Sequence, residues 1–521
     1  MAVQISNVIT RWKICLLHLL VLVNFLYNEV EAQNCIPRKY SFDSTVCVCN
    51  STYCDVTPKV RAPLPGNFIL YTSSRDGLRF EKSLGTFKSK ITATRATLRV
   101  NRNQTYQEFI GFGAAFTDSS GYNILSLSPA AQDLLLKSYF SSDGNEYTMG
   151  RVPIGGTDFS LRGYTYQDND TDANLKSFNL TMEDYKYKIP LIKQAETITN
   201  RSLKLIASCW SPPAWMKTNR QLTGFGTLKE EYYRAYANYH VKFFDEYIKQ
   251  DLKFWCVTTG NEPSSGISPI NKINALGWTP VGQTKWIGQH FGPMMRSSYP
   301  NTCIMAIDDQ RFSFPWWVTW IMKDKTASQY INGTGVHWYW DFVVSPTVLT
   351  TTHNLYPNLF ILSTESSYGD KPWELDKVAL GAWNRGEEYA QDMIISFNNW
   401  VTGWIDWNFA LNEKGGPNWV NNFVDAAIIV NKTADEFYKQ PMFYALGHFS
   451  KFILPGSVRI NTSSSLLNPI EAVSVKRPDD SIAVILLNRR SFDVQLTFID
   501  NDRGSALINV PKRSIISMIY R

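Results

Sequence analysis

Histidine is scarce, with six residues in a chain of 521. Only His337 stands at the end of a predicted strand, so a histidine-rich metal centre or a Ser–His hydrolase lacks material. The sequence has no G-x-S-x-G elbow, no H-E-x-x-H pair and no Walker loop. Charged residues make up only 19 %, and 52 basic against 46 acidic side chains leave +6 with no long Lys/Arg run. A nucleic-acid binder would carry a basic stripe, so that partner is excluded. A modest positive excess suits anionic lipid head groups instead. After the first thirty residues no apolar run approaches the roughly 18 residues of a membrane span, and there is no internal repeat or low-complexity linker.

Aromatic residues, by contrast, are abundant: 14 % of the chain, including 17 Trp and 26 Tyr. Their flat apolar faces and polar edges suit sugar rings as well as a large core. Arg11 and Lys13 precede an apolar run from about Ile14 to Tyr27, then Val30-Glu31-Ala32, which reads as a cleaved secretory signal over residues 1–32. Eight N-glycosylation sequons fit that route, at Asn50, Asn103, Asn169, Asn179, Asn200, Asn332, Asn431 and Asn461. Cys15 falls in the signal. Cys35, Cys47, Cys49 and Cys54 crowd into twenty residues and read as two disulfides with three possible connectivities. A zinc site there would want a C-x2-C pair or a nearby His, and has neither. Cys209, Cys256 and Cys303 stand alone in apolar segments and read as buried thiols.

One pattern recurs from about Phe109 to Trp407: a short β-rich run ends in polar, Gly or Pro residues and a helical stretch follows. The predicted strand ends are Glu108–Gly113, Tyr147–Pro153, Leu203–Ser208, Phe254–Thr259, Cys303–Asp308, Val336–Tyr339, Leu359–Thr364 and Val401–Asp406. Helices are predicted over Pro129–Phe140, Glu230–Gln250 and Glu387–Trp400; in the second, Tyr232, Tyr236, Tyr239, Phe243 and Tyr247 form one apolar face. Eight such units predict an α/β fold, a (β/α)8 TIM barrel. A doubly wound sheet would need a phosphate-binding glycine loop that is missing. Strands are also predicted over Thr92–Val100, Ala472–Lys476, Ile482–Leu487, Val494–Ile499 and Ile515–Tyr520, with a turn at Pro478-Asp479-Asp480. They make an all-β sandwich module from a piece before the barrel and the C-terminal segment.

Barrel enzymes place reacting groups at the C-terminal ends of strands. Here the fourth ends in Gly260-Asn261-Glu262-Pro263 and the seventh in Ser363-Thr364-Glu365-Ser366. Two glutamates facing each other across the mouth are what glycoside hydrolysis with retention needs: one nucleophile and one proton donor, about 5–5.5 Å apart. Alone, each Glu would read as a capping or loop-bridging carboxylate. Nearby strand ends carry Arg151, Asp158, Trp210, His337, Trp338, Tyr339, Trp404, Asp406 and Trp407, groups that bind hydroxyls or stack on a pyranose. Trp338 and Trp404 read as core, Trp210 as a ligand contact. Arg151 either keeps a nucleophile ionised or makes an interior salt bridge. The chemistry calls for no cofactor and no metal. A sugar-binding protein on a dead barrel is the competing class, and the intact Glu262/Glu365 pair argues against it.

The motifs Cys47-Val-Cys49, Gly111-Phe-Gly113, Arg151-Val-Pro153, Asp158-Phe-Ser160, Trp210-Ser-Pro-Pro213, Asn261-Glu262-Pro263-Ser264, Val336–Tyr339, Asp406-Trp407-Asn408, Gly415–Asp425 and Lys439–Phe443 resemble, in order, the acid β-glucosidases of glycoside hydrolase family 30. The resemblance implies Glu262 as acid/base and Glu365 as nucleophile. It implies Asp158, Trp210, Asn261, Tyr339, Trp407 and Asn422 around the glucose, with Arg151 and His337 in support. It also implies disulfides Cys35–Cys47 and Cys49–Cys54, and a small disulfide-bearing β domain from 33–60 plus 409–440. The sandwich would then be 61–106 plus 457–521, and the barrel 107–408 plus 441–456. Glucosylceramide would be the substrate, met at an anionic membrane surface with a saposin-type activator in the lysosome, or outside the cell. Gly260, Ser367 and the loop from Ile267 to Leu276 depart from the mammalian pattern on the aglycone side. A sterol glucoside or a polysaccharide is the alternative substrate.

Overall fold

Eight parallel strands close into a barrel in chain order: β1 (Gly111–Ala115), β2 (Met149–Ile154), β3 (Lys204–Cys209), β4 (Phe254–Thr258), β5 (Cys303–Gln310), β6 (Ile331–His337), β7 (Phe360–Glu365) and β8 (Val401–Asn408). The computed structural model describes residues 32–89, 91–169, 171–199 and 202–521. Residues 1–31 of the predicted signal segment, with Cys15, and the sequon at Asn200 lie outside these. Met149, Ile206, Cys256, Met305, Leu362 and Ile405, one from each of six strands, fill the barrel as a single buried cluster. This is the packed interior expected of the fold, and it leaves only the mouth open for chemistry.

The helix α1 (Pro129–Phe140) matches its predicted span. The aromatic helix α2 runs from Tyr233 to Ile248 and buries Tyr236, Tyr239, Phe243 and Tyr247; Tyr232 stands just before it in a 3-10 turn. A nine-stranded sheet joins the strands Asn67–Ser74, Glu81–Thr86 and Ala96–Glu108 to six strands between Val458 and Tyr520. Asp479 and Asp480 close the hairpin between Glu471–Lys476 and Ile482–Asn488. The chain passes from this sheet to the barrel at Phe109-Ile110. The strand predicted over Thr92–Val100 begins later and runs on to Glu108, and β1 starts only at Gly111. Gly111 has φ +151, and a Cβ there would collide with the Thr148 hydroxyl, so the switch between sheets requires glycine. A five-stranded sheet pairs Pro37–Lys39 and Thr45–Asn50 with strands from 410 to 439.

Cys35–Cys47 and Cys49–Cys54 are bonded, as the family resemblance implies. Cys256 and Cys303 are not the separate thiols expected from the sequence. They stand opposite each other on β4 and β5, with Cα atoms 4.5 Å apart, and form a third disulfide. A sequence separation of 47 hides this adjacency from the sequence. Cys209 is a buried free thiol, its pKa pushed up to about 12 by burial. Peptide mapping without reductant is expected to recover all three bonds. Cys256→Ser should cost about 4 kcal/mol of unfolding free energy on the chain-entropy account of a loop this long. Recovery of free thiols at both positions would remove the third bond.

Candidate functional site

All eight residues expected to hold sugar or do chemistry (Asp158, Trp210, Asn261, Glu262, Tyr339, Glu365, Trp407 and Asn422) line one cavity of ≈ 380 Å3 at the barrel mouth. Arg151 and His337, buried completely, lie behind it. A carboxylate oxygen of Glu262, one of Glu365 and an imidazole nitrogen of His337 all lie within 4.8 Å of one another.

The surroundings of the two carboxylates differ. On Glu365, one oxygen accepts from the Arg151 guanidinium and the other from the Tyr339 hydroxyl at 2.8 Å. On Glu262, Oε1 accepts from the Gln310 amide at 2.6 Å and lies 2.9 Å from His337 Nδ1, while Oε2 accepts from Ser265 Oγ at 2.7 Å. Glu262 has φ +43, a conformation costly for a non-glycine residue and one that concentrates at functional sites. Burial pushes the Glu262 carboxyl up, but its hydrogen bond to His337 and the charge of that ring outweigh this and leave it below the ordinary value. Glu365 ends above its ordinary value, because burial outweighs the pull of His337 and Arg151. Burial acts against a charged His337, yet Glu365, Asp308 and Glu262 together raise it to about 10.

The sugar-facing wall is equally specific. Asp158 Oδ2 accepts from the side-chain amides of Asn418 at 3.0 Å and Asn422 at 2.9 Å. Burial raises Asp158 to about 7 against those two amides. Trp210 and Trp407 stack at 5.1 Å, and the Arg151 guanidinium lies 4.6 Å from the Trp210 ring. Trp404 is core, as expected, whereas Trp338 is only partly buried.

Sequence reasoning missed the hub. Asp308, at the end of β5, accepts from Arg151 at 2.8 Å, Ser208 Oγ at 2.7 Å and Thr364 Oγ1 at 2.7 Å, and lies 3.2 Å from His337 Nε2. Its backbone carbonyl accepts from the Glu262 N–H at 2.9 Å. Arg151 and His337 together hold it well below the usual carboxylate range despite burial. The polar run Asp308-Asp309-Gln310 at a strand end was the available signal. Asn418 and Ser265 were also missed.

A closed barrel with two buried, closely spaced glutamates and a polar, tryptophan-walled cavity defines a glycoside hydrolase. Residues 109–453 match the glycosyl hydrolase family 30 TIM-barrel domain and residues 456–518 the family 30 β-sandwich domain, so the chain belongs to glycosyl hydrolase family 30. It is 44% identical to mouse lysosomal acid glucosylceramidase, over 95% of this chain and 98% of that one. It is 42% identical to putative glucosylceramidase 4 of Caenorhabditis elegans, over 91% and 93%. A solved endo-β1,6-glucanase is 28% identical with a TM-score of 0.76, covering 87% of this chain and 99% of that one.

Proposed function

We propose that this protein hydrolyses glucosylceramide to glucose and ceramide with retention of configuration. The supporting observation is the approach of a Glu262 and a Glu365 oxygen to within 4.8 Å, the close spacing of a double displacement and short of the roughly 6.5–9.5 Å that separates an inverting pair. A Glu365 oxygen attacks the anomeric carbon as the glycosidic C–O bond breaks, and Glu262 gives its proton to the departing ceramide oxygen. Glu262 then takes a proton from water, whose oxygen displaces Glu365 from the sugar. Asp158, Asn422, Asn261, Trp210 and Trp407 hold the glucose; Tyr339 and Arg151 hold Glu365 in attacking orientation. His337 favours the anionic form of Glu262, which the second step needs, so the acid form needed first is populated at low pH. That suits a lysosomal enzyme working at an anionic lipid surface with a saposin-type activator, glycosylated at some of its sequons. Resemblance to an endo-β1,6-glucanase supports a second reading, a β-glucan substrate. Purified protein is expected to release glucose from glucosylceramide in detergent and to leave soluble β-1,6-glucan intact; the reverse preference would overturn the lipid reading.

A further inference from the structure

Seventeen tryptophans are spread along this chain, yet the four exposed ones among the described residues, Trp316, Trp320, Trp340 and Trp373, share one sector of the barrel. They follow three consecutive strands: Trp316 and Trp320 follow β5, Trp340 follows β6, and Trp373 follows β7. Helix α3 (Trp316–Lys323) explains the first pair. Trp317, Val318 and Ile321 face inward and are buried, whereas Trp316 and Trp320, four residues apart on the outer face, are 47% and 54% exposed. They stand about 6 Å apart along the helix axis, forming a ridge down the outer wall. Trp316 Nε1 donates to the Phe312 carbonyl at 2.8 Å, which ties the ridge to the mouth. Beyond the mouth, exposed Phe342 stacks on Trp340 at 6.0 Å and meets Trp373 edge-on at 6.2 Å.

Nothing in the cavity's chemistry requires a half-exposed indole on the outer wall. Single exposed apolar residues are ordinary, but a contiguous aromatic surface marks an interaction site. Indole, apolar with one polar N–H, is the side chain that settles at the boundary between lipid tails and head groups. Two features of this sector select a bilayer as the occupant. Phe312 and Trp340 line the catalytic cavity and also belong to the rim, so the surface is continuous with the site that must receive a lipid head group. Exposed Lys323 and Lys325, at and just beyond the end of α3, supply positive charge where the ridge meets solvent. Among the described residues no helix is long and apolar enough to cross a membrane.

We propose that the sector formed by the loops after β5, β6 and β7, with the Trp316/Trp320 ridge as its outer edge, is the surface by which this enzyme lies on an anionic bilayer. The barrel is then tilted onto this flank and not set upright on its mouth, and the cavity opens sideways along the head-group layer. This rests on the lipid-substrate reading above and specifies its geometry.

The test uses the full glycosylated protein and vesicles of phosphatidylcholine with and without phosphatidylserine, with no other protein present. Trp316→Ala/Trp320→Ala is expected to lower partition onto the phosphatidylserine vesicles at least about tenfold. Its turnover of a soluble chromogenic β-glucoside should stay at the wild-type level, which also reports that the variant is folded. Leu466→Ala/Leu467→Ala, which removes two exposed leucines from the turn between the strands Val458–Ser464 and Glu471–Lys476, should partition as wild type. A milder pair, Trp316→Phe/Trp320→Phe, should lose the share of the quenching of tryptophan fluorescence by brominated acyl chains that these two indoles contribute, Trp340 and Trp373 keeping the rest. Unchanged partition of the alanine variant, or a wild type that does not partition at all, overturns the proposal. If the wild type partitions through this ridge but does not cleave glucosylceramide in detergent, the substrate reading fails while the docking surface stands.

Discussion

Glu365→Ala is expected to lose at least about 10^4-fold in kcat, because no covalent glycosyl-enzyme can form whatever the leaving group. Glu262→Ala should behave differently, losing about 10^2–10^4-fold in kcat/KM on a substrate whose leaving group needs a proton and far less in kcat/KM on an activated aryl glucoside. In that variant the glycosyl-enzyme should accumulate, because water has lost the carboxylate that deprotonates it. Azide needs no deprotonation, so it should restore turnover of Glu262→Ala and yield β-glucosyl azide. With Glu365→Ala, azide enters the space left by the nucleophile, attacks the anomeric carbon directly and yields the α-azide. The hydrogen bonds favour this assignment. Glu365 is fixed by a guanidinium and a phenol hydroxyl that orient it for attack. Glu262 is bound by an amide, a hydroxyl and an imidazole, and a proton can come and go there. Anomeric configuration of the products, read by NMR, decides the matter; swapped configurations would mean swapped roles.

The barrel was legible because each strand ends in a polar residue after an apolar run, a local signal that survives without knowledge of neighbours. Glu262 and Glu365 could be picked out because strand number alone places them at one mouth. What could not be read were contacts between strands distant in sequence. Cys256 and Cys303 each look like ordinary core residues until β4 and β5 lie in register. The nine-stranded sheet borrows Ala96–Glu108 and pairs it with Val494–Asp500 in parallel, a pairing no local pattern specifies. Asp308 was read merely as the last residue of a strand. Its function depends on Arg151, Ser208, His337 and Thr364, which come from four other strands or their ends.

Asp308→Asn should therefore damage stability and catalysis together. Asparagine is close in shape and tolerates the left-handed backbone that Asp308 adopts at φ +59. Its carbonyl can still accept the Glu262 N–H, so the change isolates the carboxylate. Removing one carboxylate leaves the buried Arg151 with Glu365 as its remaining ion-pair partner, at a cost of up to about 3–5 kcal/mol. His337 loses a charged acceptor as well and should fall from about 10. The pH dependence has a definite sign. Asp308 is depressed in the folded protein, so its contribution is fully present above about pH 4 and is lost as pH falls further. His337 is raised, so its contribution is fully present below about pH 6.5 and is lost as pH climbs towards about 10. Both act fully between about pH 4 and 6.5, where the stability gap between wild type and variant should be widest; it should narrow on either side. Lys217, lowered to about 7 by burial, titrates in both proteins and cancels in the difference. In catalysis, Arg151 freed from Asp308 no longer holds Glu365 and Asn261 in fixed relation, so kcat should fall by about 10^2-fold while binding of glucose changes little. Urea unfolding at intervals from about pH 2 to 10, with kcat measured wherever the protein is folded, tests both halves. A gap that stays constant with pH, or a variant with wild-type kcat, would show that Asp308 is only a filler of the barrel interior.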